Sequence, residues 1–140
     1  MQNNYDTLNT WLSFSQIYNG INDKLEQALQ ERFNMSLKEF YVLYFISQSG
    51  EKKLRLQQLQ DLVGLSQSAI SRLVARLEAK NCGALERAVC EADRRGIYTS
   101  ITEYGEDKLE RALQTYNEEL QQELQTGKLN ILDDIMKKLQ

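Results

Sequence analysis

Not one proline occurs in the 140 residues of this chain, where average usage of about 5% would place roughly seven. Proline removes a backbone donor and clashes with the preceding helical turn, and it punctuates the turns of β-rich domains. Its absence therefore favours long uninterrupted helices, and the expectation is a single, mainly α domain. Histidine is absent too, which takes away the commonest metal ligand and the most frequent general base near neutral pH. No nucleophile with a base, no phosphate-cradling glycine loop and no rigid carboxylate pair stands in its place, so no enzyme, metal or cofactor is expected. The polar start, Met1-Gln2-Asn3-Asn4-Tyr5-Asp6, has neither a basic nor an apolar leader region. The longest apolar run, Tyr41 to Ile46, is far short of a membrane span. The expected location is the cytoplasm, away from membranes.

Hydrophobic spacing divides the chain into helices. Leu8, Leu12, Leu25 and Leu29, widened by Trp11, Phe14, Ile17 and Ile21, predict a long first helix from Tyr5 to about Glu31. Ser36 and Glu39 form a capping-box pattern before a second helix whose predicted inner face is Phe40, Leu43 and Tyr44. A short helix, Gln57 to Val63, closes at Gly64, and Ser66 caps another to about Lys80 with Ile70, Leu73, Val74 and Leu77 inward. Ala84 to Val89 and Gly96 to Ile101 read as a hairpin with Cys90 to Arg95 at its tip. Thr102 then caps a long helix to about Thr126, Gly127 breaks it, and Leu129 to Leu139 forms a last amphipathic helix.

A helix, a tight glycine turn, a longer helix and then a hairpin is a winged helix-turn-helix arrangement, in which the second helix enters a DNA groove. Charge agrees with that geometry. Residues 52–100 hold nine basic and five acidic residues, whereas the rest of the chain holds eight and fifteen. A basic middle can attract a polyanion although the whole chain carries a net charge of -3. With its apolar stripe inward, the second helix turns Gln67, Ser68, Ser71, Arg72, Ala75 and Arg76 outward, small or hydrogen-bonding side chains that base edges and phosphates accept. Ser66 adds the positive end of the helix. Arg94 and Arg95 at the hairpin tip can reach an adjacent minor groove, with Asp93 holding one of them. The alternatives are ordinary: Arg72 and Arg76 as solvated charges screened by nearby acids, and Asp93 as a turn former.

These residues carry a resemblance. Leu59 to Glu78 (LQDLVGLSQSAISRLVARLE) and Asp93 to Gly105 (DRRGIYTSITEYG) are similar to the MarR family of winged helix-turn-helix regulators, and the second segment follows that family's wing pattern of Asp-x-Arg, an aliphatic residue, Thr and Gly. The resemblance implies a lobe over residues 35–102 flanked by dimerisation helices in 1–34 and 103–140. It implies a homodimer on a palindromic double-stranded DNA operator, with Asp93 orienting Arg95 in the wing. It further implies a transcriptional repressor released by a small aromatic or anionic effector. Two departures are local: Gln60 occupies a usually small position, and Asn81-Cys82 lengthen the segment before Gly83. A winged-helix module that antagonises another regulator by protein contact, without binding DNA, is the competing reading.

An effector pocket in such an architecture would lie between the dimer helices and the lobe, drawing on Trp11, Phe14, Tyr18, Phe40, Tyr41 and Tyr44; the same rings at helical spacing also suit a plain core. Cys82 and Cys90 flank an extended segment that would hold their Cα atoms on the order of 20 Å apart, too far for a disulfide.

Overall fold

The computed structural model describes residues 4–79, 81–90 and 93–138; the side chains of residues 89, 90, 93–96 and 138 lie outside what it describes. Its elements are α1 (Asp6–Phe33), α2 (Leu37–Gln48), β1 (Lys53–Arg55), α3 (Leu56–Val63), α4 (Gln67–Glu78), β2 (Leu85–Cys90), β3 (Asp93–Ile101), α5 (Glu103–Leu124) and α6 (Ile131–Lys138). A 3₁₀ turn, Lys128–Asn130, joins the last two helices. The fold is mainly helical with a small antiparallel sheet of order β1-β3-β2, as expected, except that β1 had no counterpart in the sequence reading.

Local signals set most helix ends. Ser36 Oγ accepts from the Glu39 amide at 3.0 Å while Glu39 Oε1 accepts from the Ser36 amide at 3.2 Å, the reciprocal pair of a capping box. Gly64 and Gly127 take left-handed conformations, φ 76° and 77°, that stop α3 and the segment after α5. α2 departs from the single-face expectation. Val42 and Ile46 are sealed along with Phe40 and Leu43, whereas Tyr44 is 42% exposed. The cause is that α2 is packed by α1, α3, α4, α5 and the sheet at once, so its burial wraps around the axis.

The wing differs in extent. β3 begins at Asp93, and Cys90 pairs with Asp93 after an irregularity in register at Val89 and Cys90. Cys90 and residues 93–95 therefore lie on strands and not in a broad tip. Residues 93–95 are all charged, so no apolar alternation marks them as strand. The lengthened segment ahead of the wing closes as a turn: Gly83 donates to Ala79 O at 2.8 Å and Ala84 to Leu77 O at 3.0 Å. Gln60 is half-buried and its carbonyl accepts the Gly64 amide at 2.9 Å.

α1 is buried only toward its C-terminal end, through Ile21, Leu25 and Leu29, against α5 and α6. Buried Glu123 anchors that layer, accepting from Lys24 Nζ at 2.9 Å and from Lys128 Nζ at 3.3 Å. The Lys24 hydrogen bond lowers the Glu123 carboxyl below its ordinary value, burial opposing it. A carboxyl depressed in the folded state stabilises above its unfolded pKa, and that contribution is lost as pH falls through the folded one. Glu123→Gln is therefore expected to lower Tm at pH 7, with the gap to wild type closing as pH falls below about 4.5; thermal melts across that range check it.

Candidate nucleic-acid interface

Ser66 starts the recognition helix. Its hydroxyl accepts the Ala69 amide at 3.2 Å and lies 3.4 Å from Ser68 Oγ. Ile70, Leu73, Val74 and Leu77 are buried, so the helical period leaves Ser66, Gln67, Ser68, Arg72, Ala75 and Arg76 exposed and Ser71 half-buried. The predicted outward face is thus brought together on one helix. Residues 67–75 include no acid, and among the described residues Arg72 has no ion-pair or hydrogen-bond partner. A guanidinium in that state keeps all its donors for an external acceptor.

Arg76 is placed differently. Its Nη1 lies 3.5 Å from Glu39 Oε1, and it borders a hollow of about 240 Å³ with Glu39, Tyr104 and Lys108. Glu39 is only 5% exposed, and a buried carboxylate needs a countercharge. One arginine of the face is therefore shared with the lobe interior. Sequence reasoning recognised Glu39 only as a cap; its burial depends on α4 lying across α2, which no local pattern encodes.

The wing lies beside this face. Arg87 Nε on β2 pairs with Glu78 Oε2 at the end of α4, 3.2 Å away. Between helix and sheet is a hollow of about 130 Å³ lined by Leu56, Ser71, Ala75, Ile97 and Thr99 among others. Asp93, Arg94 and Arg95 lie on β3 beyond it; the expected hold of Asp93 on an arginine rests on side chains outside the described residues. A second group of cations, Lys53 and Arg55, gathers around Tyr98 at the other edge of the sheet, and the sequence reading missed it because it requires β1.

The six aromatic residues proposed for a pocket make their ring contacts in separate groups, although the Tyr18 phenol is near enough to act electrostatically on that of Tyr41. Trp11, Phe14 and Tyr18 stack along α1, with centroids 5.5 and 6.2 Å apart. Phe40 and Tyr41 pack instead on Tyr116 of α5, with Phe40 and Tyr116 centroids 4.8 Å apart and the two phenol oxygens of Tyr41 and Tyr116 at 3.0 Å. Burial, then the Tyr116 hydrogen bond, pushes the Tyr41 phenol above its ordinary value. Tyr44 faces Phe45 at 5.4 Å. Cys82 is a free, half-buried thiol. No metal-holding group of His, Cys, Asp or Glu occurs among the described residues, and no described helix is long and apolar enough to cross a membrane.

A capped recognition helix behind a glycine turn, followed by a strand pair, makes this a winged helix-turn-helix protein. The family model described as MarR family matches residues 33–96. The chain is similar over 99% of its length to Sco3205 of Streptomyces coelicolor, a MarR family transcriptional regulator solved in complex with DNA (25% identity, TM-score 0.79, 88% of that chain). It is similar over the same share to the transcriptional regulator BldR of Sulfolobus solfataricus (26%, TM-score 0.76, 99% of that chain). AbsC, another MarR family regulator of Streptomyces coelicolor, shares the fold (22%, TM-score 0.79, 99% of this chain and 94% of that one). No curated protein sequence matches the chain significantly. The MarR family model thus falls on the winged-helix lobe described above, and the chain is similar in fold to solved MarR family transcriptional regulators.

Because the Ser66 cap sets the start of the recognition helix, Ser66→Ala is expected to cost about 1 kcal/mol of folding stability, measured by urea denaturation.

Proposed function

We propose that this chain is a transcriptional regulator that binds double-stranded DNA in a sequence-specific manner, as a homodimer on a palindromic operator, and acts as a repressor. The observation that carries the reading is the outward face of α4, which is small, polar and free of acid from Gln67 to Ala75 and presents Arg72 with its donors uncommitted among the described residues. Gln67, Ser68, Ser71 and Arg72 read base edges in the major groove; Ser66 and the free amides of the first turn hold phosphate. Arg76 divides its hydrogen bonds between a phosphate and Glu39. Arg94 and Arg95 reach the minor groove from the wing, Asp93 orienting. The DNA complex of the 25% identical relative Sco3205 supports the same use of this lobe.

Exposed apolar residues support the dimer. Leu8, Trp11, Leu12 and Tyr18 on α1, Leu124 on α5, and Leu132 and Met136 on α6 are each at least 42% exposed, a concentration that single chains seldom leave to water. Residues 1–34 and 103–140 are therefore assigned to dimerisation and 35–102 to the DNA-binding lobe. A small aromatic or anionic effector is the proposed release signal, and the phenol pair Tyr41 and Tyr116 at the joint of α2 and α5 is the group of rings placed to couple the two parts.

Arg72→Ala is expected to weaken operator binding by about 1 to 3 kcal/mol and to relax preference at one base position, read by fluorescence anisotropy on single-base variants of a selected site. Leu12→Glu is expected to shift the protein toward monomer in sedimentation. With the linkage between lobes gone, affinity for a full inverted repeat should fall about 10²-fold while a half-site is bound as before. A folded wild-type dimer that binds no duplex at low salt would instead favour the protein-interaction module.

A further inference from the structure

We infer that the hollow between the end of α4 and the start of α5 is a binding site for a small carboxylate, which draws Arg76 away from DNA when it is occupied. The inference deepens the effector reading above, and its effect on DNA rests on the DNA-binding reading. The hollow holds about 240 Å³ and is lined by Arg76 of α4, Cys82 in the turn that follows, Tyr104 and Lys108 of α5, and Glu39 of α2, among others. That is less than the roughly 300 to 1,000 Å³ of sites that enclose drug-sized ligands. Its occupant is therefore compact.

Charge decides the sign of that occupant. Lys108 is half-buried and has no ion-pair or hydrogen-bond partner among the described residues. Its helical neighbours three and four positions away are Tyr104, Gly105, Arg111 and Ala112, so its own helix supplies no facing acid. The acids close by are engaged. Glu39 Oε1 accepts from the Ser36 amide at 3.2 Å and meets Arg76 Nη1 at 3.5 Å. Asp107 pairs with Arg111. Glu31, the acid of the adjoining hollow that Lys108 also lines, accepts from Gln27 at 3.1 Å. The charged groups among the described lining residues are thus Arg76, Lys108 and Glu39, an excess of one positive charge in a partly desolvated space, where an unmatched charge is costly. A single negative charge balances it, which suits a carboxylate better than a phosphate group carrying about -1.5 to -2. Asn34, Asn81 and Tyr104 add hydrogen-bond donors to the same lining.

Occupancy bears on DNA through Arg76. The Arg76 side chain is 69% exposed and reaches Glu39 only at 3.5 Å, so its guanidinium is held loosely enough to exchange partners. It can turn toward a phosphate of the duplex or toward the hollow, and not toward both. A carboxylate beside Lys108 gives it a second inward acceptor next to Glu39, and Lys108 offsets the repulsion between the two carboxylates. Because Arg76 serves one side at the expense of the other, operator and carboxylate weaken each other's binding by the same factor.

The test reads occupancy first, without DNA. Cys82 is a free, half-buried thiol on the lining, so its rate of alkylation by uncharged iodoacetamide reports whether the hollow is filled; peptide masses keep Cys90 out of the reading. Sodium acetate is the probe, with sodium chloride at equal ionic strength as reference and sodium phosphate as the rival anion. At ten times its half-saturating concentration acetate should slow the alkylation about tenfold. Lys108→Gln should abolish this protection and Lys108→Arg should restore it, with melting temperatures showing that each variant is folded; the wild-type comparison of acetate with chloride stands as the test should either variant unfold. In anisotropy titrations at fixed ionic strength, acetate should weaken operator binding by wild type and leave that of Lys108→Gln unchanged. Equal alkylation in acetate and chloride, protection that survives in folded Lys108→Gln, or protection by phosphate alone would each overturn the inference. Protection of Cys82 with no loss of operator affinity would overturn the competition for Arg76. If wild type binds no duplex, the DNA-binding reading fails, and the alkylation rates still decide whether the site exists.

Discussion

The contact on which the arrangement of this molecule depends is the junction where β3 becomes α5. Thr102 Oγ accepts the Gly105 amide at 3.0 Å and lies 2.6 Å from Gly83 O and 3.0 Å from Ala84 O, to which its own hydrogen is directed. The Thr102 amide donates to Ala84 O at 3.0 Å, and the Ala84 amide to Leu77 O in the last turns of α4. The end of the recognition helix, the entry to the wing and the start of the long α5 are thereby joined through a few backbone groups. The approach is so close that a Cβ on Gly105 would lie 2.1 Å from Ala84 O; only glycine fits. A lobe fixed to α5 in this way has a defined orientation relative to that helix, and in the proposed dimer this would set the separation of the two α4 helices.

The electrostatic division follows from the same layout. Positive charge is concentrated in residues 52–100, the segment that contains α3, α4 and the wing, while the long helices outside it, α1 and α5, are acidic. Acidic residues on the flanking helices repel phosphates and leave the lobe as the favoured face for a duplex. Two acids of the lobe are matched by its arginines, Glu39 by Arg76 and Glu78 by Arg87. Arg72 remains outside those pairs among the described residues. The electrostatic asymmetry along the chain is therefore carried into an asymmetry of faces.

Features encoded within a turn or two of chain could be read before any coordinates: the Ser36, Ser66 and Thr102 caps, the glycine stops at Gly64 and Gly127, and the buried stripe of α4. Features that depend on which elements meet could not. β1 is three residues long with two charged side chains, too short and too polar for alternation to register, and with it the Lys53, Arg55 and Tyr98 cluster escaped notice. A one-face rule places Tyr44 inward, and it fails because α2 is packed from several directions. The ring contacts of Phe40 and Tyr41 are made with Tyr116 of α5, a neighbour that no helical period within α1 or α2 announces. The MarR resemblance supplied the overall plan and the wing's identity, and the fold agrees with it, while the individual partners of Arg76 and Tyr41 emerged only from packing.

In the proposed dimer the α5 junction would hold two lobes at a spacing that matches successive turns of one face of a duplex. Selection of bound sequences from a random duplex pool with the purified, folded protein measures that spacing. The expected result is an inverted repeat whose half-sites are centred about 10 base pairs, one helical turn, apart. Recovery of isolated half-sites without fixed spacing, or no enrichment at low salt, would contradict it.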